Sequence, residues 1–209
     1  MFTLSAAIEV VSLTASGALS PGPLTFAALL GGRQGGWKYG FLAALGHMLF
    51  ELPLYLLLSL GAYHLLQAKE VKKIVSGVGG LVILYFVYLG LRDLSKGSSD
   101  SKVSGVKFSG AGPIAVGFTF TALNPYFLAW WATIGVKMIS DVMDSSFGLI
   151  SAISYYPVHV WMDFAWLSFV ALAAQKGLST LRTLSRAIQL LLLLLMVLYA
   201  FVFLSEALT

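Results

Sequence analysis

With 58% hydrophobic residues against 11% charged over 209 positions, the chain has the composition of an integral membrane protein and not of a soluble domain. It has no cysteine, which excludes disulfides, thiolate metal sites and thiol redox relays. The net charge of +4 reads as membrane topology, so no nucleic-acid partner is expected from it.

Polar clusters cut the chain into six apolar runs, about 4–31, 38–66, 72–94, 111–138, 146–175 and 183–206. Each exceeds the roughly 20 residues needed to cross a bilayer core of about 30 Å. The first run could be mistaken for a signal peptide, since Ala15-Ser16-Gly17-Ala18 resembles a cleavage site. Residues 1–8 carry no Lys or Arg, however, and Glu9 interrupts the apolar core, so a retained span is expected.

Within this run stands Leu19-Ser20-Pro21-Gly22-Pro23-Leu24-Thr25. Two prolines around a glycine remove backbone donors and cannot continue a regular helix. In hydrocarbon, broken backbone survives only where protein buries it or where it lines a wet cavity. The segment is therefore either a kink satisfied by packing or a substrate or ion site.

The separators are read as loops: Gly31 to Gly36, Gln67 to Glu70, Ser95 to Ser109, Ser140 to Ser146 and Gln175 to Thr180. Loops one, three and five carry nine Lys and Arg (Arg33, Lys38, Arg92, Lys96, Lys102, Lys107, Lys176, Arg182, Arg186). Loops two and four carry four (Lys69, Lys72, Lys73, Lys137). This bias puts the odd loops in the cytoplasm and both termini outside.

Ser95–Ser109 is polar and glycine-rich, and it divides the chain in the middle. The expected organisation is one membrane domain, 1–209. A first three-helix unit, 1–94, is joined by a cytoplasmic linker, 95–109, to a second, 110–209. Units entered from opposite sides of the membrane can only be inverted repeats, a common construction of secondary transporters. The fold class expected is therefore all-α, six transmembrane helices in two inverted repeats, with helices 1 and 4 broken. Span four supplies the second break at Leu123-Asn124-Pro125.

Spans two and five correspond further. The first carries His47, Glu51 and Pro53; the second carries Pro157, His159 and Asp163. A spacing of four sets each histidine and carboxylate on one helix face. A charged carboxylate at mid-membrane costs about 2.5–3.5 kcal/mol on insertion scales, so such groups face the bundle interior and pair. They are read as proton-coupling groups, because histidine changes charge near neutral pH. The bland alternative is polar glue between helices. Half-helices starting after Pro23 and Pro125 would offer free N–H groups to a carboxylate. Thr25 and Asn124 would add hydrogen bonds, and Glu51 or Asp163 would take an ammonium. The candidate substrate site is thus Pro21, Gly22, Pro23, Thr25, Asn124, Pro125, Glu51 and Asp163, with His47 and His159 as further proton carriers.

Weaker candidates are read as structural. Glu9 is left open between snorkelling to the interface and function, while His64 is read as interfacial, Arg33 and Lys38 as topology determinants, and Trp130, Trp131, Trp161 and Trp166 as packing or anchors. Tyr156 and Trp161 are given a lesser chance of lining a cavity. Ser76, Gly77 and Gly80 are read as close helix contact, and the leucines 190–195 as lipid-facing. No HExxH, P-loop or Rossmann pattern is present, so neither an enzyme nor a bound cofactor is expected.

Ser20-Pro21-Gly22-Pro23, then Gly31-Gly32-Arg33-Gln34-Gly35-Gly36, Gly40 and Gly46, resembles the LysE-type amino-acid exporter family. The Leu123-Asn124-Pro125 break resembles that family's second-half motif. The resemblance implies a six-helix exporter of two inverted repeats in the cell membrane, driven by the proton-motive force and able to form a homodimer. Its substrates would be amino acids, basic or other small polar ones included. The His/Glu and His/Asp pairs are not part of that resemblance. Two rivals stand beside it: a divalent-metal exporter using His47, Glu51, His159 and Asp163 as N/O ligands, and a non-transporting membrane scaffold.

Overall fold

The computed structural model describes residues 3–62, 69–95, 112–143, 148–179 and 182–208. Among them there is helix and no strand. His64 and most of the 95–109 linker lie outside the described residues, as does part of the predicted fourth loop.

Helix α1 (Leu4–Ala18) starts at Thr3, whose hydroxyl accepts from the Ala6 amide. It stops before the two prolines, and α2 (Pro23–Ser59) restarts with Pro23 at its first position, where a missing N–H costs nothing. Gly22 between them is extended, with φ −152°. The predicted loop Gly31–Gly36 shrinks to a single residue. The helix runs through Gly35, and only Gly36 leaves it, at φ 55° and ψ −149°, a conformation that an L side chain rarely adopts.

The chain reverses at Gly36. Ala28 before it and Ala44 after it both pack in one cluster with Leu167 and Val170. The two arms close on α7 (Leu149–Ser179), where a Cβ at Gly32 would lie 2.4 Å from Ala171 Cα and one at Gly40 2.1 Å from the Leu167 carbonyl oxygen. The glycines of this stretch therefore serve close backbone approach and not loop flexibility.

After α3 (Lys69–Ser95), the fourth apolar run is divided into α4 (Pro113–Ala122), α5 (Pro125–Trp130), a π-helical turn at Trp131–Gly135 and α6 (Val136–Met143). Asn124 separates α4 from α5 and caps the second, accepting from the Tyr126 and Phe127 amides at 3.0 and 3.3 Å. Helix α8 (Arg182–Leu208) closes the order. By length and hydropathy alone, Leu149–Gly177 and the Pro23–Ser59 stretch, which Gly36 divides into two arms, are enough to cross a membrane; Leu4–Ala18, Lys73–Tyr88, Pro113–Ala122 and Leu193–Leu208 are shorter apolar helices.

Contact pairs fix the helix directions. Glu9 meets Lys137, and Ser16 meets Trp130, so α1 runs against α5 and α6. His47 meets Asp163 and Tyr55 meets Ala152, so the second arm of α2 runs against α7. Phe86 packs against Phe120 with the rings tilted while Gly79 abuts Leu123, so α3 runs against α4. Ser76 bonds Glu206 and Gly80 abuts Leu204, so α3 and α8 are antiparallel as well; the close contact read from Gly80 is met here. Successive runs therefore alternate in direction.

Besides the small Ala28–Ala44–Leu167–Val170 cluster, two larger cores hold the bundle. One gathers Phe26, Leu30, Phe86, Phe120, Met196 and Phe203; the other gathers Val10, Tyr55, Trp131, Met138 and Tyr155. The leucine stretch is mixed: Leu190, Leu191 and Leu194 are exposed, while Leu193 joins the first core. Its exposed side fits lipid; its buried side follows the helical period.

Candidate functional site

Between the two cores lies a cavity of about 640 Å³, into which both chain breaks and the second arm of α2 converge with α7. Its lining includes all eight predicted substrate residues except Pro125, and both histidines. Pro125 is buried at the foot of α5 instead, starting that helix.

Glu51 is the hub. It is 2% exposed, one helical turn after His47. Its Oε1 lies 3.1 Å from His47 Nε2 and 3.2 Å from His159 Nε2, and its Oε2 accepts from the Tyr156 hydroxyl at 3.2 Å. Two predicted pairs are thus one cluster: Glu51 joins the histidines of both halves of the chain. Asp163 stands 3.8 Å from His47 Nε2 through Oδ1, and its buried Oδ2 has no hydrogen-bond partner.

The outer nitrogens of the imidazoles are held by threonines that the sequence reading passed over. Thr121 Oγ1 lies 2.9 Å from His47 Nδ1 and donates to the Gly117 carbonyl at 2.7 Å. A hydroxyl has one proton to give, so His47 Nδ1–H donates to Thr121. The one proton between His47 Nε2 and Glu51 Oε1 then sits either on the imidazole, making it a cation, or on the carboxyl. Thr14 Oγ1 lies 2.7 Å from His159 Nδ1, tying α1 to the same cluster.

Aromatic rings wall the cluster. Phe127 meets the His47 ring edge-on at 5.3 Å, Trp130 stacks on His159 at 5.9 Å, and Trp131 meets His159 at 5.2 Å. Trp131 belongs to the π turn, where a Cβ on Gly135 would fall 2.3 Å from its ring. Glycine there makes room for the indole, and π turns recur at functional sites. Trp130 and Trp131 are therefore cavity residues as much as packing ones, whereas Trp161 is half exposed and absent from the lining.

The breaks are not equivalent. At the second, Asn124 already satisfies the first amides of α5. At the first, Gly22 supplies no side-chain cap, and the amides of Leu24 and Thr25 have no acceptor among the described residues. The Thr25 hydroxyl turns back to the Ser20 carbonyl at 3.3 Å. The Thr25 hydroxyl proton and Asn124 Oδ1 are thus engaged, and the donors left open are the Asn124 side-chain NH2 and the backbone amides of the first break.

Among the described residues, the lining holds no lysine or arginine. Glu9 is paired with Lys137 at 3.5 Å, and Lys137 also bonds Asp141, at the far end of α1. Arg33 is buried near the Gly36 turn. Ligand atoms of His47, Glu51 and Asp163 lie within 4.8 Å of one another, a set that can hold a metal ion.

Compared with known proteins, the chain matches a family model described as LysE type translocator over residues 15–207. No curated protein and no solved structure matches it.

Proposed function

The chain belongs to the LysE type translocator family, a family of membrane-embedded transporters and not of enzymes, and on that premise we propose that it is a proton-coupled exporter of amino acids in the cell membrane. The observation that carries this reading is Glu51 bonded to His47 and His159 beside a cavity at which two chain breaks meet.

The chemistry follows from the shared proton. A cluster whose two imidazoles face one carboxylate oxygen takes up or releases a proton with small movements. The proton's presence decides whether Glu51 is neutralised, and with it the charge that the cavity offers a substrate. Because Thr14 bonds His159 from α1, protonation and the position of that half-helix are linked. Broken helices 1 and 4 of two inverted repeats, crossing at mid-membrane, form the usual frame for such alternation. The alternating run directions, and the equal placement of the breaks in runs one and four, support that frame.

Orientation rests on charge. Arg33, Lys38, Arg92 and Lys176 fall at the Gly36 end of the bundle, while Glu9, Glu70, Lys69, Lys73, Lys137 and Asp141 fall at the other. The basic end is placed in the cytoplasm. Homodimerisation is carried by the resemblance alone.

A scaffold would leave His47, Glu51, His159 and Asp163 in separate helix contacts, whereas all four line one cavity. Metal export is the second reading, favoured by the His47, Glu51 and Asp163 spacing. Both Glu51 oxygens are already engaged, by His47, His159 and Tyr156, which favours proton traffic.

The test is Glu51→Gln in proteoliposomes under an imposed pH gradient. Coupled amino-acid efflux should fall at least roughly tenfold, about 1.4 kcal/mol, with the melting profile retained. Undiminished coupled efflux would remove Glu51 from the mechanism. Thermal stabilisation by Zn²⁺ or Co²⁺ and by no amino acid would favour metal export.

A further inference from the structure

We infer that the cavity selects neutral α-amino acids with apolar or aromatic side chains, holding the ammonium at Asp163 and the carboxylate at the amides of Leu24 and Thr25. This rests on the exporter reading and narrows it to a substrate class.

The selection follows from which polar atoms remain open. Glu51's two oxygens already face three side-chain partners, so a ligand cation would have to displace a histidine or Tyr156. Asp163 is 8% exposed and has an oxygen with no hydrogen-bond partner. It lines the cavity and is the acidic group left for one ammonium.

For the carboxylate, the lining offers no lysine or arginine among the described residues. At the second break Asn124 occupies the first amides of α5. At the first break those of Leu24 and Thr25 are open, at the positive end of a helix that runs unbroken to Gly35. One cation site and one anion site accommodate a zwitterion and nothing further charged.

The remaining wall decides the side chain. Phe127, Trp130, Leu195, Leu198, Tyr199 and Val202 face the same space. A lysine ammonium or a glutamate carboxylate placed against them would be desolvated without a counter-charge. A leucine or phenylalanine side chain would bury apolar surface there. A volume of about 640 Å³ is ample for either.

The experiment uses the purified full chain in proteoliposomes, with counterflow and thermal shift as readouts. The panel is leucine, phenylalanine, lysine and glutamate, together with leucinamide, which lacks the carboxylate, and 4-methylpentanoate, which lacks the amine. Leucine and phenylalanine should exchange and stabilise at least roughly tenfold more effectively than each of the others. Asp163→Asn should lose leucine stabilisation. If that variant does not fold, the panel on the unaltered protein decides alone. Lysine exchanged as well as leucine, or leucinamide binding as well as leucine, overturns this inference and leaves the exporter reading intact. Exchange of no amino acid at all overturns both.

Discussion

Thr121 decides what His47 can do. Because its hydroxyl is committed to the Gly117 carbonyl, it can only accept from His47 Nδ1, and this presents Nε2 to Glu51. Thr121→Val keeps the shape and removes the acceptor, leaving a buried N–H unsatisfied at a cost of about 1–3 kcal/mol. His47 then gains by moving its proton to Nε2 or by turning away. Coupled efflux should fall roughly tenfold and its pH profile should shift, whereas Thr121→Ser should behave as the unaltered protein. Thr133→Val, which removes an exposed hydroxyl bonded to its own helix, serves as the control. Equal efflux and an unmoved profile in Thr121→Val would show that the tautomer does not matter. The pairs at residues 47 and 51 and at 159 and 163 were legible because a charged group four residues from a histidine in an apolar run has few uses. Thr14 and Thr121 were not, since threonine in such a run ordinarily bonds its own helix. Only the partner helix reveals the second bond.

At the scale of elements, the prolines marked both breaks but not their difference. Pro21, Pro23 and Pro125 each forbid continued helix, and the chain stops near each of them. What a break offers depends on the residue before the restarted helix: Asn124 closes one, Gly22 leaves the other open. Nor could the sequence announce the π turn at Trp131–Gly135, which differs from an α turn only in register. The Gly31–Gly36 stretch read as a loop for a related reason. Glycines that permit close packing look the same in sequence as glycines that permit flexibility, and only Gly36 needs its conformation. The asymmetry of the breaks is testable at Gly22, where an added Cβ meets nothing within 4 Å and φ is one any residue adopts. Gly22→Asp installs a capping carboxylate on the amides now open. Exchanging glycine for aspartate at a helix cap changes stability by only about a few tenths of a kcal/mol, so the melting temperature should hold or rise slightly. Leucine binding should weaken at least roughly tenfold, because the cap competes with the substrate's carboxylate. Unchanged binding would place the anion site elsewhere.

For the whole molecule, hydrophobicity divides the sequence into six apolar runs, and the structure adds the direction of their helices. The contacts between Glu9 and Lys137, His47 and Asp163, Phe86 and Phe120, and Ser76 and Glu206 make each run antiparallel to a neighbour from the other half. Basic residues then stand at both ends. Lys38 and Lys176 belong to the Gly36 end, and Lys73 and Lys137 to the opposite one. A charge bias sets orientation only where positive residues near the spans differ between sides, and the proposed orientation rests on the bias of nine against four in the sequence. Because it contains no cysteine, single cysteines can be introduced without a background. With an impermeant thiol reagent applied to intact cells, Lys73→Cys and Lys137→Cys should react, and Lys38→Cys and Lys176→Cys should react only after lysis. Labelling of all four from outside would break the antiparallel arrangement. Reversal of the two pairs would keep it and place the Gly36 end outside the cell instead.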